Sequence, residues 1–193
     1  ITTVLGIRKT EQLKGWREKI GEGVANWEMG RAARRGKSFH TLVEQYIKGE
    51  TPSIRDVLPL GLFKLMKPYI DQIDNIHLLE AIMYSPKLTI AGQVDCVAEY
   101  NGKLSVIDFK TANKERLESW IENYFLQTTA YAHMYEETFG KKIEQIVILI
   151  ASEDGSVQTF VKNKADYEEE LGKSIQNFYK YFEEKTKDKI ASK

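Results

Sequence analysis

Asn101-Gly102 is the most constraining dipeptide in this chain. It stands between two β-prone runs, TIAGQVDCVAEY (89–100) and KLSVIDFKT (103–111). A two-residue type I′ turn needs positive φ at both central residues, which Asn and Gly tolerate. Such a loop fixes the register of the strands it joins. Facing residues have numbers that sum to 203, so Tyr100 faces Lys103, Val97 faces Val106 and Asp95 faces Asp108. A β-bulge would move every pair by one residue.

Two carboxylates thus stand opposite one another, with Cβ atoms roughly 4.5–5.5 Å apart. Their neighbours are Val94, Cys96, Val97, Val106, Ile107 and Phe109, so the pair is at least half buried, and unpaired buried carboxylates are costly. A shared proton, a basic side chain or a metal ion would compensate. Lys110 lies two residues beyond Asp108 and so on the same strand face, where it offsets one charge. A divalent cation with oxygen ligands would meet the remaining need. The plainer alternative is an Asp108–Lys110 ion pair in an ordinary sheet, with Asp95 at its solvated rim.

The rest of the 193-residue chain reads as α/β (α+β), a single domain at 1–193. Residues 1–75 are mainly helical, with segments at 10–28 (interrupted by Gly15, Gly21 and Gly23), 31–48 and 53–73 (broken near Pro59 and Pro68). In the second of these, Phe39, Leu42, Val43, Tyr46 and Ile47 recur on one face, and Gly49 ends it. Residues 76–161 form a sheet core with strands at 76–84, 88–100, 103–110, 143–151 and 156–161, and an inserted helix at 114–139. A closing helix occupies 165–185 within 162–193, and residues 183–193 are expected to fray.

Composition narrows the function. The apolar run Ile146–Ala151 is strand-sized, so no membrane span is expected. A single cysteine, Cys96, excludes a four-cysteine zinc or iron–sulfur site and fits a reducing compartment. Lys plus Arg and Asp plus Glu both number 28, yet residues 1–50 hold ten basic against six acidic residues. Within them Arg31, Arg34, Arg35 and Lys37 are either a solvated helix face or a phosphate-contacting edge.

Three further places hold candidate residues. His40 lies at the edge of the apolar face of helix 31–48, where a histidine is either packed core or a ligand. Glu80, in the strand before the hairpin, is a further ligand or an ordinary salt bridge. Gln127 and Tyr131 are four apart and project from one helix face. Trp120, Tyr124 and Phe125 are core aromatics or base-stacking residues.

Taken in order, GKSFH (36–40), GQVD (92–95), DFK (108–110) and QTTAY (127–131) resemble the RecB-like branch of the PD-(D/E)XK nuclease superfamily. Within it, the AARRGKSFHTLVEQYI segment and the 89–111 hairpin are similar to the mitochondrial genome-maintenance exonuclease type and its phage and bacterial relatives. The resemblance implies a restriction-endonuclease-like core: a central mixed β-sheet of about five strands flanked by helices, with an N-terminal helical wall. It implies that His40, Asp95, Asp108 and the backbone carbonyl of Phe109 bind one or two Mg²⁺ or Mn²⁺ ions. It gives Lys110 the role of catalytic lysine and makes Gln127 and Tyr131 its positioning partners.

The activity implied is metal-dependent hydrolysis of DNA, as a single-strand exonuclease acting from free ends in replication, repair or recombination. The branch members bearing an iron–sulfur cluster are excluded by the cysteine count. A flap or structure-selective endonuclease and a catalytically silent nucleic-acid-binding scaffold are the alternatives. A helicase or replication partner would be a separate chain. The expected setting is the cytoplasm of a bacterium or phage-infected cell, rather than the mitochondrial matrix.

Overall fold

The structure, a computed structural model, describes residues 1–7 and 10–191. Its helices are α1 (Thr2–Gly6), α2 (Thr10–Ile20), α3 (Glu22–Ile47), α4 (Val57–Ile70), α5 (Glu122–Phe139) and α6 (Glu168–Ala191). Its strands are β1 (Ile73–Ser85), β2 (Ile90–Tyr100), β3 (Lys103–Ala112), β4 (Gln145–Ser152) and β5 (Val157–Asn163).

The five strands form one sheet in the order β1-β2-β3-β4-β5. Neighbours are antiparallel except β3 and β4, which run parallel because α5 crosses between them. Asn101 and Gly102 take φ of 52° and 74°. The register they set is the expected one, with Tyr100 opposite Lys103, Val97 opposite Val106 and Cys96 opposite Ile107.

Two apolar layers cover the sheet. Phe39, Leu42 and Val43 of α3 and Leu62, Phe63 and Met66 of α4 pack on one face, against Cys96, Ile107, Phe109, Val147 and Leu149. Phe125, Leu126, Ala130 and Met134 of α5, with Leu171 and Ile175 of α6, pack on the other, against Val97, Val106, Ile146 and Ile148. Strand β4 contributes to both layers in strict alternation, which explains why its sequence is apolar throughout.

Several boundaries differ from the sequence reading. Gly21, at φ 85°, is the only glycine that separates α2 from α3, while Gly23, Gly30 and Gly36 lie within one 26-residue helix. Residues 113–121 precede α5 as an irregular segment with a short 3₁₀ turn at Glu118–Trp120. Helix α6 continues to Ala191, because the run EEKTKDKIA holds good helix formers and no breaker; residues 192 and 193 of the expected frayed tail lie outside the described residues. Pro59 sits in the first turn of α4, where its missing N–H costs nothing. Among the described residues no helix is long and apolar enough to cross a membrane.

Candidate active site

The site forms where β2 and β3 part. Their ladder ends at Cys96↔Ile107, whereas β3 stays paired with β4 as far as Ala112. Asp95 and Asp108 occupy the next register position, but they do not continue the ladder. Instead Asp95 Oδ2 accepts the Phe109 N–H at 2.9 Å, so a side chain replaces the missing strand partner. In an extended strand a residue's N–H and C=O leave by the same edge, so the Phe109 carbonyl points into the same fork.

The two acids turn to different sides of the sheet. Asp108 has the parity of Val106, which packs under α5. Its neighbour on that face is Lys110, whose Nζ lies 2.6 Å from Asp108 Oδ1 and 2.5 Å from Oδ2 and 5.0 Å from the Tyr124 ring centre on α5. Asp95 faces α3, with Oδ2 3.7 Å from His40 Nδ1.

Glu80 joins Asp95 and His40 through an irregular backbone. Leu79 pairs with Cys96 and Ala81 with Val94, which sets Glu80 across from Asp95. Glu80 adopts φ 47°. Leu79 packs in the α3–α4 layer but Ala81 in the α5 layer, so the alternation of β1 changes phase at this residue. The same change occurs in β2 at Asp95, between Val94 and Cys96. Both carboxylates are thereby delivered toward His40. His40 Nδ1 lies 3.2 Å from Glu80 Oε1, and Gln93 Nε2 donates to Glu80 Oε2 at 2.7 Å and to its carbonyl at 3.2 Å.

The charges hold one another in place. Burial pushes the Asp108 carboxyl well above the ordinary carboxylate range, although Lys110 pulls against it. Burial likewise opposes charge on Lys110 and His40. Asp108 and Asp95 overcome it at Lys110, and Glu80 and Asp95 overcome it at His40, so both bases are raised.

These residues fit a divalent cation. His40, Glu80 and Asp95 each offer a ligand atom, all within 4.8 Å of one another. Asp108 Oδ2 is buried and, for all its closeness to Lys110, receives no well-aligned hydrogen bond from any described residue. A hard cation such as Mg²⁺ or Mn²⁺ suits oxygen ligands with one imidazole. The Cys96 sulfur belongs to the α3–α4 core, and burial raises its thiol to about 12.

Gln127 and Tyr131 lie behind the fork, with Gln127 Nε2 3.3 Å from the Tyr131 hydroxyl. Tyr131 is buried against Gly92 so closely that a Cβ there would stand 2.7 Å from its hydroxyl and 2.9 Å from its ring. The glycine of GQVD and the tyrosine of QTTAY are thus one packing unit. Phe125 is core and stacks on Tyr167, while Trp120 is exposed.

The four basic residues do not form one surface. Arg35 points inward and is used up by Thr111 (3.0 Å), Asn113 (2.7 Å) and Glu153. Arg31 pairs with Glu153 at 3.1 Å and Glu28 at 3.4 Å. Burial of Arg35 corrects the expectation of a phosphate-contacting edge for that residue; with partly exposed Arg31 it ties α3 to the ends of β3 and β4. Arg34 and Lys37 are exposed. Gln93 is a site residue that sequence reasoning misses; its place in GQVD, two residues before Asp95, is the available signal.

The chain matches the PD-(D/E)XK nuclease superfamily over residues 63–191. It is 30% identical over 171 residues to human mitochondrial genome maintenance exonuclease 1, covering 81% of this chain and 49% of that protein. The mouse protein of the same name is 29% identical over 156 residues, with 75% and 45% covered. An ATP-dependent helicase/nuclease chain of Clostridium kluyveri is 29% identical over 91 residues, covering 45% of this chain and 7% of that one. The chain therefore spans about half the length of the mammalian relatives it matches.

Proposed function

The chain belongs to the PD-(D/E)XK nuclease superfamily, and from that premise we propose that it is a Mg²⁺- or Mn²⁺-dependent deoxyribonuclease that digests single-stranded DNA from free ends. The observation that carries this reading is the fork between β2 and β3, with His40, Glu80 and Asp95 gathered on its α3 side and Asp108 paired with Lys110 on its α5 side. A scaffold has no use for buried carboxylates set this close. The exonuclease names of the mammalian relatives support action from an end.

His40, Glu80, Asp95, Asp108 and the Phe109 carbonyl would hold the cation. Once bound, it supplies a water of lowered pKa and neutralises charge on the phosphate. Asp95 and Asp108 would supply the carboxylate oxygens that fix the cation in the fork. Lys110, held by both oxygens of Asp108, stays protonated and donates to the phosphate oxygens as negative charge grows there. It is a poor base in this setting, because two carboxylates favour its charged form. Tyr131, packed on Gly92 and bonded to Gln127, holds α5 against β2, and Tyr124 of the same helix lies beside the Lys110 ammonium. Arg34 and Lys37 bind the substrate backbone.

The test uses purified chain, Mg²⁺ or Mn²⁺, and one DNA sequence as linear and as circular single strands, with Asp108→Asn as control. Digestion of the linear strand alone is expected. Cutting of both forms would make the protein an endonuclease. Absence of metal-dependent cleavage would leave a nucleic-acid-binding scaffold.

A further inference from the structure

Past Glu80, the β1–β2 hairpin carries an apolar surface that no helix covers among the described residues. The phase changes at Glu80 and Asp95 decide which way it faces. Met83, Ile90 and Val94 point into the α5 layer, and Gly92 lies under Tyr131. The alternate residues Ile82, Tyr84, Ala91 and Gln93 therefore point the other way, to the side on which α3 carries His40. The amide of Gln93 on Glu80 agrees with that placement. Ile82 is 85% and Tyr84 66% exposed. Tyr84 pairs with Ala91, whose small side chain leaves the ring face open. At about 3.3 Å per residue, Ile82 stands about 7 Å and Tyr84 about 13 Å along the strand from Glu80.

The N-terminal half of α3 runs toward the same end of the sheet. Arg35 is anchored to Thr111 and Asn113, at the end of β3. Because β2 runs antiparallel to β3, that end of the sheet is also where Ala91 and Tyr84 lie. Exposed Lys37 and Arg34 sit within two turns before His40 on the same helix. Exposed apolar side chains of β1, exposed cationic residues of α3 and the acid–histidine cluster thus lie toward one end of the same sheet face.

We propose that Ile82 and Tyr84 are a stacking platform for the unpaired bases that flank the phosphate being cut. The inference rests on the nuclease reading above and deepens it, because it names what the site recognises besides phosphate. An aromatic ring binds any base through its π-face, so the platform selects unpaired over paired strands without selecting sequence. Duplex bases, already stacked and paired, cannot use it.

The test is anisotropy titration of a short fluorescein-labelled single strand in EDTA and in Ca²⁺, using wild type, Tyr84→Ala, Tyr84→Phe and Ile82→Ser. Tyr181→Ala, on α6, which packs on the opposite face of the sheet, is the control. The same titrations are repeated with a strand of abasic residues, and cleavage in Mn²⁺ is measured alongside. Tyr84→Ala is expected to bind roughly ten-fold more weakly, with Tyr84→Phe near wild type and the loss absent on the abasic strand. An equal loss on the abasic strand, no loss at all, or no wild-type binding would overturn the platform. So would a wild-type dimer, seen by light scattering, that Tyr84→Ala dissociates, since a second copy would then cover this face. If binding follows the expected pattern while wild type cleaves nothing, the nuclease reading fails and the platform stands. Normal cleavage with no dependence on Tyr84 gives the reverse.

Discussion

The backbone amide of Phe109 donates to Oδ2 of Asp95 across 2.9 Å, at the point where β2 and β3 separate. One carboxylate therefore does two things. It satisfies a backbone group that the end of the ladder would leave unpaired, and it stands beside His40 and Glu80 as a candidate ligand.

These two roles are separable by substitution. Asp95→Asn keeps an oxygen that can accept the Phe109 N–H but loses the charge. Asp95→Ala loses both and leaves a buried N–H unpaired, at a cost of about 1–3 kcal/mol. Asp95→Asn is expected to melt near wild type and to show no cleavage and weakened Mn²⁺ binding. Asp95→Ala is expected to be equally inactive and also to melt lower. Thermal denaturation and calorimetric metal titration of the two variants check this; equal melting temperatures would remove the structural role.

Lys110 makes the same point from the other partner. Its Nζ is the cation nearest to buried Asp108. Lys110→Met keeps the apolar stem but strands the Asp108 charge, and breaking a buried pair in this way costs about 3–5 kcal/mol. The variant is expected to lose cleavage and metal-free stability together. Added Mn²⁺ should then raise its melting temperature more than it raises that of wild type, because the cation takes over neutralisation of Asp108. A smaller metal-induced rise in the variant would mean that Asp108 does not contact the ion.

Much of the site was legible because a two-residue turn carries register information over many residues. Asn101-Gly102 determines which residue of β2 meets which of β3, and that argument reached Asp95 and Asp108 without further input. It could not foresee that the ladder stops one pair earlier, since β3 continues with β4, which is remote in sequence. Alternation misleads at Glu80 for a local reason: a glutamate at φ 47° is not a pattern that composition reveals, and it reverses the facing of every later residue in β1. Arg35 was illegible for the opposite reason. A charge run on a helix looks solvated until Glu153, Thr111 and Asn113 arrive from distant strands. Helices were easier to detect than to delimit, as the uninterrupted α3 illustrates.

Gly92 and Tyr131 offer a test of packing without charge. A Cβ at residue 92 would overlap the Tyr131 hydroxyl and ring edge, and overpacking of this kind costs about 1–3 kcal/mol. Gly92→Ala is expected to lower stability and to slow cleavage by shifting β2, and with it Asp95. In the double variant with Tyr131→Ala, the alanine methyl has room. Its stability loss should therefore be smaller than the sum of the two single losses. Additive losses, measured by urea denaturation, would place the clash elsewhere.

The divided basic cluster yields a prediction in which stability and binding part company. Arg35 is buried and bonded to three residues, so Arg35→Ala leaves Glu153 without its closest cation and should lower the melting temperature. It should leave the salt dependence of DNA binding unchanged, since the side chain does not reach solvent. Arg34→Ala with Lys37→Ala removes two exposed charges and should scarcely alter melting. Each phosphate contact on a single strand contributes about 0.7 to the slope of log K against log salt, so losing two should flatten it by about 1.4. Binding titrations across a salt series separate these cases. A slope that changes in Arg35→Ala and not in the double variant would reverse the assignment and make the inward arginine part of the DNA surface.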